Sequence, residues 1–409
     1  MGYQLLKGMR VVEGAAFIAG PSCGLHFAQM GAEVIRFDNI GGGPDFRRWP
    51  LSANGASLYW EGLNKGKKSV AIDMSSTEGR ELAVALATAP GPDGGMFVTN
   101  FPVNGFLSYQ ALSARRADLI CLRVMGWADG TSAVDYTVNA AVGLPLMTGA
   151  VDDPRPVNHV LPAWDLLTGA YAAFTLLAAE RARRATGEGQ EIRVPLSDVA
   201  AATLSHLGQV AEVLEGGADR PRMGNDLFGA FGRDFATRDG RIIVVAITPR
   251  QWRDLVQVLD LGSQVAAIER ELEVSFTDDE GVRFTHRHRL FPLFEVAFAR
   301  FDTVALKPLF DARGVCWSPY RSLGEALAER DGLFQGNPVF QETEHPSGGR
   351  YIAAGPAATF TGLARDELKP APRLGENTDE VLADLLGLGD LEIARLHDKG
   401  VIAGAQSGA

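Results

Sequence analysis

Residues 9–38 read MRVVEGAAFIAGPSCGLHFAQMGAEVIRFD, and their rhythm decides the fold. Two short apolar runs, MRVVEG (9–14) and AEVIRFD (32–38), bracket a segment from Pro21 to Met30 with a helical pattern. Strands of a sheet covered on both faces are apolar throughout rather than alternating, so this stretch is a strand–helix–strand unit of a parallel sheet. The same rhythm continues downstream. KSVAIDM (68–74), GMFVTNF (95–101), LICLRVMG (119–126) and EIRVPL (191–196) read as further buried strands. SSTEGRELAVALATA (75–89) opens on hydroxyl residues that can cap a helix. The expected class is α/β, with an open parallel sheet.

Such a sheet is Rossmann-like and binds ligands where its strands end. Asp38 closes the second strand as a ribose-binding acid does in dinucleotide enzymes. The turn after the first strand, however, runs Gly14-Ala15-Ala16-Phe17-Ile18-Ala19-Gly20 and lacks the GxGxxG spacing. Phe17 and Ile18 stand where a pyrophosphate needs bare backbone, which argues against a nicotinamide cofactor.

Composition narrows the function further. A net charge of −11 is the wrong sign for wrapping nucleic acid. No apolar run reaches membrane-spanning length, and MGYQLLKGMRVVEG has no signal-peptide core. Cys23, Cys121 and Cys316 lie far apart with no CxxC, and only His286 and His288 are close among the histidines. Neither a disulfide framework nor a metal site is expected. A cytoplasmic compartment fits this cysteine usage.

The composition shifts at EGGADRPRMGN (215–225), which reads as a linker. Beyond it, DFATRDGRIIVVAI (234–247) carries an Asp-Gly turn between strand-like runs, a hairpin signal. Residues 1–205 and 330–409 are therefore expected to form a large domain and 225–320 a smaller α+β domain. Residues 206–224 and 321–329 are the expected linkers.

One carboxylate stands out. In NHVLPAWDLLTG (158–169), Asp165 interrupts an apolar approach to a long helical pattern. Asp is a good N-cap, because its side chain accepts the first-turn amides. Those amides also lower its basicity.

Taken together, GMRVVEGAAFIAGPSCGLHFAQMGAEVIRFD, LNKGKKSVAIDM, VTNFPVNG, RRATGEGQEIRVPLSDV, EHPSGG and PAPRLGENTDEVL resemble the class III CoA-transferases in order and spacing. That family includes formyl-CoA and carnitine CoA-transferases and is related to acyl-CoA racemases. GGGPDFRRWP, VDYTVNAAVGLPLMTG, NHVLPAWD and LFGAFGRDF are most similar to its mesaconyl-CoA branch, in which CoA moves between the two carboxylates of one acid. The alternative is transfer between two different acids. A racemase is disfavoured, since Val134 stands where those relatives place the histidine of a two-base pair.

The resemblance implies an interlocked homodimer acting on acyl-CoA and carboxylic acid substrates, with no tightly bound cofactor and no metal. It implies Asp165 as catalytic nucleophile. It places CoA on Phe17, Ile18 and Ala19, on Leu63, Asn64, Lys65 and Gly66, on Asn100, Phe101 and Pro102, and on Val134, Asp135 and Tyr136. A mobile glycine loop matches Gly229-Ala230-Phe231-Gly232. Arg47, Arg48, Asn158, His159 and Arg233 are candidates to grip a dicarboxylate. Two features depart from the family: Asn39 and Ile40 replace a basic residue, and an arginine is missing after NFPVN. Arg36, Arg47 and the lysines of LNKGKKS are the expected substitutes.

Overall fold

The structure is a computed structural model that describes residues 2–330 and 332–405. The chain divides into two compact units. The first holds 1–142, 159–211 and 336–409, and the second holds 143–158 and 212–335. Residues 143–158 thus leave the large domain expected from sequence, because a side chain of the second unit holds their backbone. Arg222 donates to the carbonyls of Leu146 (2.8 Å) and Pro145 (3.3 Å). The expected linkers also contain helices, Gln209–Gly216 and Leu323–Ala328.

In the first unit the chain runs β1 (Arg10–Gly14), α1 (Ala19–Gln29), β2 (Glu33–Asp38), α2 (Leu58–Leu63), β3 (Lys68–Ile72), α3 (Thr77–Ala87) and β4 (Met96–Thr99). It continues through α4 (Tyr109–Ser113), β5 (Ile120–Met125) and α5 (Asp135–Ala141). After α6 (Leu144–Met147), which belongs to the second unit, come α7 (Ala163–Thr186) and β6 (Gln190–Pro195). β1 to β6 are parallel to their neighbours. The sheet has seven strands, and the seventh is antiparallel: Ile402–Ala403 pairs with Ile72 and Ala71 at the β3 edge. The sheet is therefore mixed rather than wholly parallel. A two-residue strand carries no periodicity, so the sequence could not reveal it. The helix after β1 starts at Ala19, two residues before the expected Pro21. Proline fits a first turn, where its missing N–H needs no partner.

Val12, Ile35, Val70, Ile72 and Phe97 form the core of this sheet with Leu86 and Leu112. α7 packs on α1 through small residues. A Cβ on Gly169 would meet Ser22 Oγ at 1.8 Å and the Ala19 carbonyl oxygen at 2.8 Å.

In the second unit the Asp239-Gly240 turn joins Phe231–Ala236 to Arg241–Ala246 in an antiparallel pair. Cys316–Pro319 adds the third strand. An aromatic core of Phe231, Phe235, Trp252, Phe294 and Phe298 fills the space between this sheet and its helices.

Gly169→Ala is expected to destabilise the fold by about 2 kcal/mol, since a buried methyl facing backbone must push the two helices apart. Urea denaturation measures it.

Candidate active site

Asp165 is the third residue of α7, and the helix has no side-chain cap of its own at Pro162. The cap comes from elsewhere. Asp135, on the first turn of α5 and buried, accepts the Trp164 amide at 2.6 Å and the Asp165 amide at 3.1 Å through Oδ2. Its other oxygen, Oδ1, lies 2.6 Å from His159 Nε2. Asn139, one turn along α5, accepts the Trp164 indole N–H at 3.1 Å. The sequence made Asp165 the cap; the structure gives that task to a carboxylate 30 residues away. Asp165 is left with its side chain free for other work.

Its electrostatics also differ from expectation. Burial pushes the Asp165 carboxyl up to about 7 from an ordinary 3.8, Asp135 pushes the same way, and the Arg48 guanidinium opposes both. The favourable helix terminus is outweighed by desolvation and a like charge. A more basic carboxylate is a stronger nucleophile, and it is half-protonated near neutrality.

Arg48 lies 5.5 Å from the Phe17 ring and 5.4 Å from the Tyr59 ring. Among the described residues it has no carboxylate partner. The Tyr59 hydroxyl is buried, within electrostatic reach of Asp165, and unpartnered. Phe17 is exposed, and its φ of +70° is rare for a bulky side chain.

The other expected contacts sort by position. Phe17, Ile18 and Ala19 follow β1 and Asn100, Phe101 and Pro102 follow β4, all at the carboxyl ends of the strands. Ile18 and Ala19 are buried. Asn100 exchanges two hydrogen bonds with the Ala16 backbone and so shapes the β1 loop. Val134 and Tyr136 are exposed beside the Asp135 cap, and the Tyr136 hydroxyl donates to the Val160 carbonyl at 3.3 Å.

Leu63, Asn64, Lys65 and Gly66 precede β3 instead, and this corrects their expected place in a loop at the carboxyl ends. Asn64 is buried, accepting from Arg36 and Lys67. Lys65 and Gly66 line a cavity of about 520 Å³ at the amino ends of β2 and β3. Asp135 and His159 bond each other at the helix terminus.

Of the expected basic substitutes, Arg36, Lys67 and Lys68 are occupied. Arg36 holds Asp38 at 2.7 and 2.8 Å and Asp45 at 2.9 Å, all buried. Lys67 holds Glu13 at 2.8 Å, and Lys68 pairs with Glu33 and Glu380. Arg47 is exposed and unpaired.

In the second unit, Phe231 and Gly232 lie in a strand, with Phe231 buried among aromatic rings. The expected mobile loop shrinks to Gly229 and Ala230. Arg233 spans Asp226 and Glu295 and stacks over Phe291, so it is not free to grip substrate. Asn158 is exposed in that same unit.

Sequence reasoning missed several residues. A depression lined by Asn39, Ile40, Asp73, Met74 and Ser75 sits where β2 and β3 end. Arg80 donates to the Met74 carbonyl at 2.9 Å, with its guanidinium 5.7 Å from the Phe106 ring. The strand-end rule that singled out other loops could have found Asp73–Ser75. Nothing in the sequence marks Tyr59 or Asp45. Among the described residues no group of three His, Cys, Asp or Glu could hold a metal, and no helix is long and apolar enough to cross a membrane.

The family description "CoA-transferase family III" matches residues 6–378. The chain belongs to that family. It is 49% identical over 99% of both chains to a 2-methylfumaryl-CoA isomerase of Chloroflexus aurantiacus. It is 28% identical to a human succinyl-CoA:glutarate CoA-transferase, over 97% of this chain and 90% of that one. Its fold matches a CAIB/BAIF family protein of Brucella suis with a TM-score of 0.76, at 24% identity over 94% of this chain and 100% of that one.

An acid whose folded pKa is raised loses stability as it ionises. The cost is absent below the unfolded value of 3.8 and complete above about 7. Asp165→Asn is expected to stabilise the protein by roughly 2 kcal/mol near pH 8 and to change it little near pH 3.5. Melting curves at both pH values check this.

Proposed function

We propose that this member of the family passes CoA between carboxylates through covalent intermediates on Asp165. The half-buried, unusually basic carboxylate at the start of α7 carries the reading. An Asp165 oxygen attacks the thioester carbonyl, the C–S bond breaks, and CoA leaves as thiolate, giving a mixed anhydride. The thiolate then attacks the aspartyl carbonyl, which frees the first acid and leaves an aspartyl thioester. The acceptor carboxylate attacks this in turn, and the steps run in reverse. The unpartnered Tyr59 hydroxyl can donate to the developing oxyanion. Arg48 offsets the charge of an incoming carboxylate, and Arg80 is the basic side chain near the CoA end.

The family description and the succinyl-CoA:glutarate relative give transfer between two acids the wider support. The 49% identical isomerase supports a finer reading. In it, 2-methylfumaryl (mesaconyl) CoA gives up CoA from one carboxylate and takes it back on the other without leaving the site. Incubation of one regioisomer with isotopically labelled free acid separates the two. The intramolecular reading expects no label in the thioester pool, and label there sinks it. In either case Asp165→Ala is expected to lose turnover by several orders of magnitude, and near-normal turnover would remove the nucleophile from the scheme.

The proposed assembly is a homodimer. α7 exposes Leu167, Tyr171, Phe174 and Leu177 along one face, more apolar surface than a free helix keeps in water. Light scattering is expected to give twice the chain mass, and Phe174→Glu to lower it toward one chain.

A further inference from the structure

Phe17 is the only described residue of the first unit other than glycine with a positive φ. It sits in the loop after β1, with the Arg48 guanidinium 5.5 Å from its ring. Strain of this kind persists only where the surroundings fix it. Here the fixing group is Asp45. Its Oδ2 accepts the Phe17 amide at 3.1 Å, while its own carbonyl accepts the Arg48 amide at 3.2 Å. One buried residue therefore ties together the Phe17 ring and the guanidinium that rests on it, and that guanidinium acts on Asp165. Asp45 is in turn clamped by Arg36 at 2.9 and 3.0 Å, and Arg36 is anchored by Asp38 and by Asn64.

We infer that Asp45 is a positioning residue that, through Phe17 and Arg48, sets the charge environment of Asp165. The inference rests on Asp165 acting as nucleophile. The groups facing Asp165 are Asp135, itself bonded to His159, together with Arg48 and Tyr59. Arg48 alone among them favours the ionised form. Those facing Asp45 are Arg36, Asp38, Lys67 and Tyr59. Without the Asp45 carboxylate, the Phe17 backbone relaxes, its ring turns away, and Arg48 loses one of the two faces it rests on. Arg36 keeps its two bonds to Asp38, so the buried network is not left with a bare charge.

The test compares Asp45→Ala, Phe17→Leu and the double variant with wild type. The rate of acyl transfer to Asp165 is followed by quenched-flow mass spectrometry across pH. Phe17→Leu leaves the buried network whole and guards against simple misfolding. Each single variant is expected to slow acylation at neutral pH on the order of tenfold or more. Each is also expected to move the acid limb upward by about one pH unit. The double variant should match the slower single within about threefold, because both act through one path. A limb that stays in place while only the melting temperature falls overturns the inference, as does a multiplicative loss in the double variant. Absence of any acyl adduct on wild-type Asp165 overturns instead the proposed function, and the inference with it.

Discussion

The Asp135 carboxylate is the interaction on which the site depends. It sits on the first turn of α5 and takes the first amides of α7 across 30 residues of sequence, in place of a local cap. A local cap on Asp165 would have used up the carboxylate's lone pairs on its own helix. Moving the cap to another helix frees Asp165, and brings a second carboxylate close enough to raise its proton affinity. One arrangement therefore ends the helix, orients the side chain and tunes its basicity. His159 completes it by engaging the outer oxygen of Asp135 at 2.6 Å.

Beneath the strand ends lies a second buried layer of charge. Glu13, Arg36, Asp38, Asp45 and Lys67 neutralise one another with Asn64 between them. Each member is bonded to others of the cluster, so its geometry is stiff. The stiffness reaches the surface through Asp45 and the Phe17 amide. It also explains why the basic residues nearest the strand ends are unavailable to phosphate: their charge is already spent inside the fold.

The strand–helix rhythm of residues 9–38 was legible, because burial on both faces dictates apolar runs that no local accident imitates. The Asp239-Gly240 hairpin was legible for a similar reason, as few residues tolerate that turn. Asp165 was legible as an acid breaking an apolar approach, yet its place in the helix was misread by three positions. Pro162, with no side-chain cap, begins α7, and the pattern gave no sign of a cap supplied from α5. Gly229-Ala230-Phe231-Gly232 looked mobile because glycines bracket it. Phe231 decided otherwise by entering an aromatic core.

Sequence alone determined the α/β class and the order of strands and helices along the chain. These follow from local pattern, in which each residue's neighbours are given. Only the tertiary structure decided which charges are free. Arg36, Lys67 and Arg233 read as candidates for anions until Asp45, Glu13 and Glu295 came within 3.3 Å or less. Arg48 and Tyr59 stand out in the same way. Among the described residues Arg48 has no carboxylate partner and the Tyr59 hydroxyl no hydrogen bond, and both act electrostatically on or with Asp165. Pairing of charges is settled by distance in space, which periodicity does not encode.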